Sequence, residues 1–163
     1  MDIDGFLEYA TSVDPDFLSK IEGATAKEIE RVERAVGVPL PAQYRRFLEL
    51  MGHEHGGAFF ISEDVNWTAE DIAELYEEEN QLHEHEYTPN IIVVAYSGLS
   101  IEELVIDVKP PHRIGQWEDG KIQPLWNESF VGFLFSTFVK SRAQKDNESW
   151  WSKFWKKVDR KLW

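Results

Sequence analysis

The chain has 163 residues, 30 acids against 17 Lys and Arg for a net charge of −13, and no cysteine. A single domain of this length buries about 70% of the surface its unfolded form exposes, so a core needs no disulfides, and thiolate nucleophiles and cysteine-based zinc sites are excluded. The negative balance argues against a nucleic-acid backbone as ligand, because that binding relies on Lys and Arg displacing counterions, and it favours a basic protein as partner.

Met1-Asp2-Ile3-Asp4 is acidic where a secretory signal is basic and then apolar, and no apolar run approaches the roughly 20 residues of a membrane span. A cytoplasmic address is expected, with a membrane disfavoured as partner. The first helix signal is Thr25-Ala26-Lys27-Glu28, a capping-box spacing, followed by Ile29, Val32 and Val36 on one face and by Gly37 as a stop. Pro39-Leu40-Pro41 forces an extended entry into a second helix that starts near Pro41, carries Tyr44, Phe47, Leu48 and Met51 on its apolar stripe, and closes at Gly52.

Gly56-Gly57 leads into an expected short strand from Ala58 to Ser62. Thr68-Ala69-Glu70-Asp71 repeats the capping pattern and opens a helix with Ile72, Leu75, Tyr76 and Leu82 inward. Glu79 falls near that apolar stripe by helical angle, so the helix ends before it or Glu79 has a partner. Asn90 to Tyr96 is a β-branched run of buried-strand type, and Leu99 to Val108 reads as its antiparallel neighbour. His112 to Trp117 and Lys121 to Trp126 flank Asp119-Gly120, a hairpin signal, and Asn127 is placed to cap a last core helix with Phe130, Phe133, Leu134 and Phe138 inward. These elements predict an α+β domain with a largely antiparallel sheet flanked by helices. Trp67, Trp117, Trp126, Phe59, Phe60 and Tyr96 are assigned to the core or to sheet packing.

Residues 142–149 are polar enough to link residues 1–141 to a final amphipathic helix, 150–163. On a helical wheel Trp151, Phe154, Trp155, Val158 and Leu162 share one face, opposite Lys153, Lys156, Lys157 and Arg160. Three surfaces could receive the apolar face: the protein's own body, which the tether favours, a second protomer, or a membrane interface. Oligomeric state is left open.

Charge is distributed unevenly. Residues 1–46 hold nine acids and six bases, 47–108 fifteen and none, 109–139 three and three, and 140–163 three and eight, for net charges of −3, −15, 0 and +5. Within the acid-only block Glu70, Glu74 and Glu78 stack at i, i+4 and i+8 with Glu77 beside them, an arrangement that costs a helix roughly 0.2–0.5 kcal/mol per like-charged pair. The alternative to a binding face is a solubilising one, which mixed signs would serve equally well. The candidate partner-binding acids are Glu63, Asp64, Glu70, Asp71, Glu74, Glu77, Glu78, Glu84 and Glu86.

His53-Glu54-His55 and His83-Glu84-His85-Glu86 could each project two imidazoles, but H-E-x-x-H is absent and solvated loop histidines are the commoner outcome. No metal or cofactor site is assigned. The chain has neither G-x-S-x-G nor a phosphate-cradling G-x-x-x-x-G-K-[ST], and its carboxylates are too abundant for spacing to single out an acid/base couple. No catalytic residue is assigned and a non-enzymatic protein is expected.

Glu30-x-x-Glu33, Val36-Gly37-Val38 and Leu40-Pro41-x-x-Tyr44-x-x-Phe47-Leu48, closed by Gly52, resemble the amino-terminal signature of the SUKH (Smi/Knr) superfamily. Leu104 to Asp107, Arg113 to Trp117 and Ser129-Phe130-x-x-Phe133-Leu134 resemble its later strands and closing helix, so the similarity spans roughly residues 23 to 139. Tyr96-Ser97-Gly98-Leu99-Ser100 departs from the Asn- or Asp-rich glycine turn of many members, and the basic Trp tail has no counterpart in the motif. The resemblance implies a bacterial immunity protein that binds and neutralises a cognate toxin, often a nuclease, of a polymorphic or contact-delivered toxin system. It also admits an alternative: a non-enzymatic regulatory or scaffold domain whose C-terminal helix engages a partner or a membrane surface. A metal-dependent enzyme using the His-Glu loops is a distant third.

Overall fold

A computed structural model describes residues 2–58, 65–82, 90–97, 103–118 and 120–143. The chain opens with a helix that no capping box announces, α1 (Ile3–Val13), where the Asp2 carboxylate accepts the Gly5 N–H and Ile3, Phe6 and Ala10 are buried. A 3-10 turn (Phe17–Lys20) and strand β1 (Ile21–Glu22) follow. Helix α2 (Ala26–Val36) starts at the expected box: Thr25 Oγ1 accepts the Glu28 N–H, and Glu28 Oε2 accepts the Thr25 N–H at 2.6 Å. It stops at Gly37, whose φ of 78° is left-handed and suits glycine. Pro41 caps α3 (Ala42–Met51), and Tyr44, Phe47, Leu48 and Met51 are all buried as their spacing predicts.

Beyond α3 come β2 (Glu54–His55), which pairs with β1, then β3 (Val65–Asn66) and α4 (Ala69–Leu82). The remaining elements are β4 (Ile91–Ser97), β5 (Glu103–Asp107), β6 (Arg113–Glu118), β7 (Lys121–Ser129) and α5 (Phe130–Ala143). Strands β3 to β7 form one sheet in sequence order, every neighbouring pair antiparallel. Strands β6 and β7 pair with Glu118 opposite Lys121, as a hairpin there requires, and Gly120 has φ 74°; residue 119 lies outside the described residues. Pro124 lies on β7, an edge strand, where its missing N–H costs no ladder bond to a further neighbour. The whole is an α+β domain with the predicted antiparallel sheet.

Two local expectations change. Ala58 is not part of a strand, while residues 59–64 lie outside the described residues together with Phe59 and Phe60. Asn127 does not cap the last helix. Strand β7 runs on to Ser129, opposite Arg113, so the backbone at 127 is extended; the Ser129 hydroxyl, immediately before Phe130, accepts the Gly132 N–H instead. Helix α5 continues through Ala143, and the tail with its stripe of Trp151, Phe154, Trp155, Val158 and Leu162 lies outside the described residues.

The core is aromatic at two foci. Phe6, Phe17 and Phe138 meet edge to face with centroids 5.4–6.1 Å apart, and Phe130 stands edge-on to both Tyr44 (5.4 Å) and Phe47 (5.3 Å). Trp67, Trp117 and Tyr96 pack partly buried against this core, as expected. Thr137, buried on α5, donates its hydroxyl to the carbonyls of Leu134 and Ala58, tying the turn after β2 to the last helix. Gly23 lets the chain lie directly on the backbone of α3, since a Cβ there would collide with the Glu49 carbonyl. Helix α4 packs on α2 and β4, which fixes the orientation of its charged side.

Candidate functional site

Helix α4 begins in a reciprocal cap. Thr68 Oγ1 accepts the Asp71 N–H at 3.2 Å, while Asp71 Oδ2 accepts the Trp67 N–H (3.0 Å), the Thr68 N–H (2.9 Å) and the Thr68 hydroxyl (2.7 Å). Asp71 therefore works first as a helix start. One face of α4 is buried through Ala69, Ile72, Ala73 and Tyr76, and the Tyr76 hydroxyl accepts the Val93 N–H of β4 at 3.0 Å. With the helix pinned on that side, Glu70, Glu74 and Glu78 are exposed in a row. The helix continues through Leu82, so it does not end before Glu79.

Glu77 faces α2. Arg31 donates Nε–H to Oε1 (2.8 Å) and an Nη2–H to Oε2 (2.6 Å), a two-pronged fit that planar guanidinium and carboxylate groups allow. This bond holds the Glu77 carboxyl below the usual carboxylate range, with the charges of Arg31 and Arg34 adding to it. In return Glu77 raises the Arg31 guanidinium, helped by the fields of Glu74 and Glu70. Part of the acid block is thus matched inside the molecule by cations of the preceding segment, 46 residues away in sequence. Sequence reasoning did not find this pair. Counting charge by segment hides it, although Arg31, on the flank of the Ile29, Val32 and Val36 stripe, was the available signal.

Among the described residues no ion pair engages Glu70, Glu74 or Glu78. Tyr96 of β4 borders the row: its hydroxyl donates to the Asp71 carbonyl at 3.4 Å, and burial followed by the charges of Asp71, Glu78 and Glu74 pushes its ionisation upward. Among the described residues the outward side of α4 is therefore a strip of three carboxylates beside a phenol, suited to a cationic surface. Glu63, Asp64, Glu84 and Glu86 lie outside the described residues.

The first His-Glu-His segment is divided between two structural tasks. His53 Nε2 lies 3.1 Å from Glu28 Oε2 beside the α2 cap, whereas His55 packs against Trp67 (4.4 Å) and its Nδ1 accepts the Gly57 N–H at 3.0 Å. Among the described residues no three His, Asp or Glu groups gather as a metal site would require. His83 and His85 lie outside them. No helix among the described residues is long and apolar enough to cross a membrane.

The model of the SMI1/KNR4 family (SUKH-1) matches residues 23–138, well over half of the chain. The chain belongs to this family. None of the curated proteins compared with it matches. The SUKH-1 match covers α2 through most of α5, including the capped helices and the Arg31–Glu77 pair; α1 precedes it. Membership is consistent with an immunity-type role, since SUKH proteins are in general non-enzymatic and act on a protein partner.

Proposed function

We propose that this SUKH-1 protein is a cytoplasmic immunity protein that binds a cognate basic toxin, of nuclease type, and neutralises it through the acidic side of α4. The observation that carries this reading is the exposed row Glu70, Glu74 and Glu78, three like charges held in line by a helix whose other sides are pinned by Ile72, Tyr76 and the Arg31–Glu77 pair. Such a row opposes helix stability, so solvation alone gives it no advantage over mixed signs. A strip of one sign raises the rate of encounter with an oppositely charged protein by about 10 to 1,000-fold at low salt, and it presents to a nuclease the spaced negative charges that its substrate backbone would. The remaining candidates, Glu63, Asp64, Glu84 and Glu86, belong to the same acid-only block of sequence and lie outside the described residues, whereas Asp71 and Glu77 support the row through the cap and the α2 contact.

The test is the association rate with the basic C-terminal domain of a large secreted protein encoded beside this chain, measured against ionic strength. The rate is expected to fall steeply from low to physiological salt. A rate indifferent to salt would remove the electrostatic face from the account.

A further inference from the structure

We propose that the C-terminal stretch 150–163 docks in cis on the end of the molecule formed by α1, the Phe17–Lys20 turn and the last turns of α5. This inference is independent of the partner read from α4.

Among the described residues three large apolar side chains are exposed: Val13 (46%), Leu18 (55%) and Val139 (37%). All three fall outside residues 23–138, the part that matches the family, and all three belong to one end of the fold. Asp14, next to Val13, accepts from Arg142 at 2.6 Å and from Lys20 at 2.8 Å, and Arg142 stands one helical turn beyond Val139. Phe17 and Phe138, the neighbours of Leu18 and Val139, touch with ring centroids 5.4 Å apart. Exposed apolar side chains on α1, the Phe17–Lys20 turn and the last turns of α5 thus flank the Asp14–Arg142 contact in sequence, each lying outside the matched residues.

The occupant follows from the chain itself. Helix α5 ends at Ala143 on this same end, and residues 144–149 span at most about 20 Å when extended, so the Trp stripe is delivered beside these side chains at high effective concentration. The tail stripe of Trp151, Phe154, Trp155, Val158 and Leu162 supplies the apolar match. Charge agrees: residues 2–20 hold Asp2, Asp4, Glu8, Asp14 and Asp16, of which Asp14 is matched by Lys20 and Arg142 and Asp4 by Arg46, while residues 150–163 hold five bases and one acid for a net +4. Steering of the basic tail toward α1 leaves the row on α4 uncovered.

Because the chain has no cysteine, thiol pairs can be introduced cleanly. The full chain carrying Leu18→Cys with Val158→Cys is compared with Glu74→Cys with Val158→Cys, each treated with a short bis-maleimide at micromolar protein. Intramolecular cross-linking of most of the first pair, at least several-fold above the second and independent of protein concentration, is the expected result. Adding Trp151→Ser and Trp155→Ser should abolish the difference. Preferential trapping at Glu74 would place the tail over the acidic row, cross-linking that grows with concentration would place it on a second copy, and absent trapping with pelleting on anionic vesicles would place it on a membrane; each overturns the proposal.

Discussion

Acidification should destabilise this protein through His55 before its carboxylates titrate. The imidazole packs on Trp67 and its Nδ1 is committed to accepting the Gly57 N–H, and burial pushes its pKa down from 6.5 to about 4. Below pH 6.5 the unfolded chain takes up a proton that the folded chain refuses until about pH 4, so stability is full above 6.5, declines as pH falls through that window, and loses nothing further from this group below it. A difference of that size corresponds to about 3 kcal/mol at 1.36 kcal/mol per pH unit, and partial exposure of the ring brings it nearer 2 kcal/mol. For a chain of this length that lowers the thermal midpoint by roughly 4–8 °C between pH 6.5 and 4. The assay is calorimetry or circular dichroism across this range for the wild type and His55→Gln, which retains a hydrogen-bonding side chain and does not titrate. The variant should lose distinctly less stability over the window. Parallel curves for the two proteins would show that His55 is not held neutral by the fold.

Tyr44 is buried with no partner for its hydroxyl among the described residues, so Tyr44→Phe should leave stability unchanged or raise it by about 1 kcal/mol; a loss of that size in urea unfolding would mean that the hydroxyl is satisfied. Thr137→Val keeps the shape of the side chain but strips the Ala58 carbonyl of its buried donor, at a cost of about 1–3 kcal/mol in the same measurement. Arg31→Gln frees Glu77 from its guanidinium and adds one uncompensated negative charge beside the row. Stopped-flow association with the basic toxin domain at low salt should therefore quicken in this variant, whereas Glu74→Gln should slow it.

Much of the fold is legible because it is decided within four residues of chain. The boxes at Thr25 and Thr68, the left-handed stop at Gly37 and the proline entry at Pro41 all operate locally, and each appears where its spacing places it. Asn127 shows the limit: its capping potential is real, but pairing of Ser129 with Arg113 across the sheet keeps the strand extended and passes the cap to the serine. Helix α1 has an Asp2 cap without the reciprocal glutamate of a capping box, so no box marks its start, although Ile3, Phe6, Leu7 and Ala10 at i, i+3, i+4 and i+7 already carry the helical period. The candidate face was legible as a stack of carboxylates at i, i+4 and i+8. Which of them stay outward was not, because that depends on the contact of α2 with α4, and Arg31 and Glu77 meet only once both helices are packed.

The central claim is that the outward row on α4 carries toxin neutralisation. Its most direct test is survival of cells that express the cognate toxin domain together with either the wild-type chain or Glu70→Gln/Glu74→Gln/Glu78→Gln. The triple variant relieves two stacked like-charge contacts, worth roughly 0.4–1 kcal/mol, and gives up the attraction of Glu70 and Glu74 for Arg31 and of Glu70 for the helix start, so its thermal midpoint is measured beside survival to separate loss of function from unfolding. The account predicts survival with the wild type and killing with the variant. Full protection by a stably folded triple variant would contradict it.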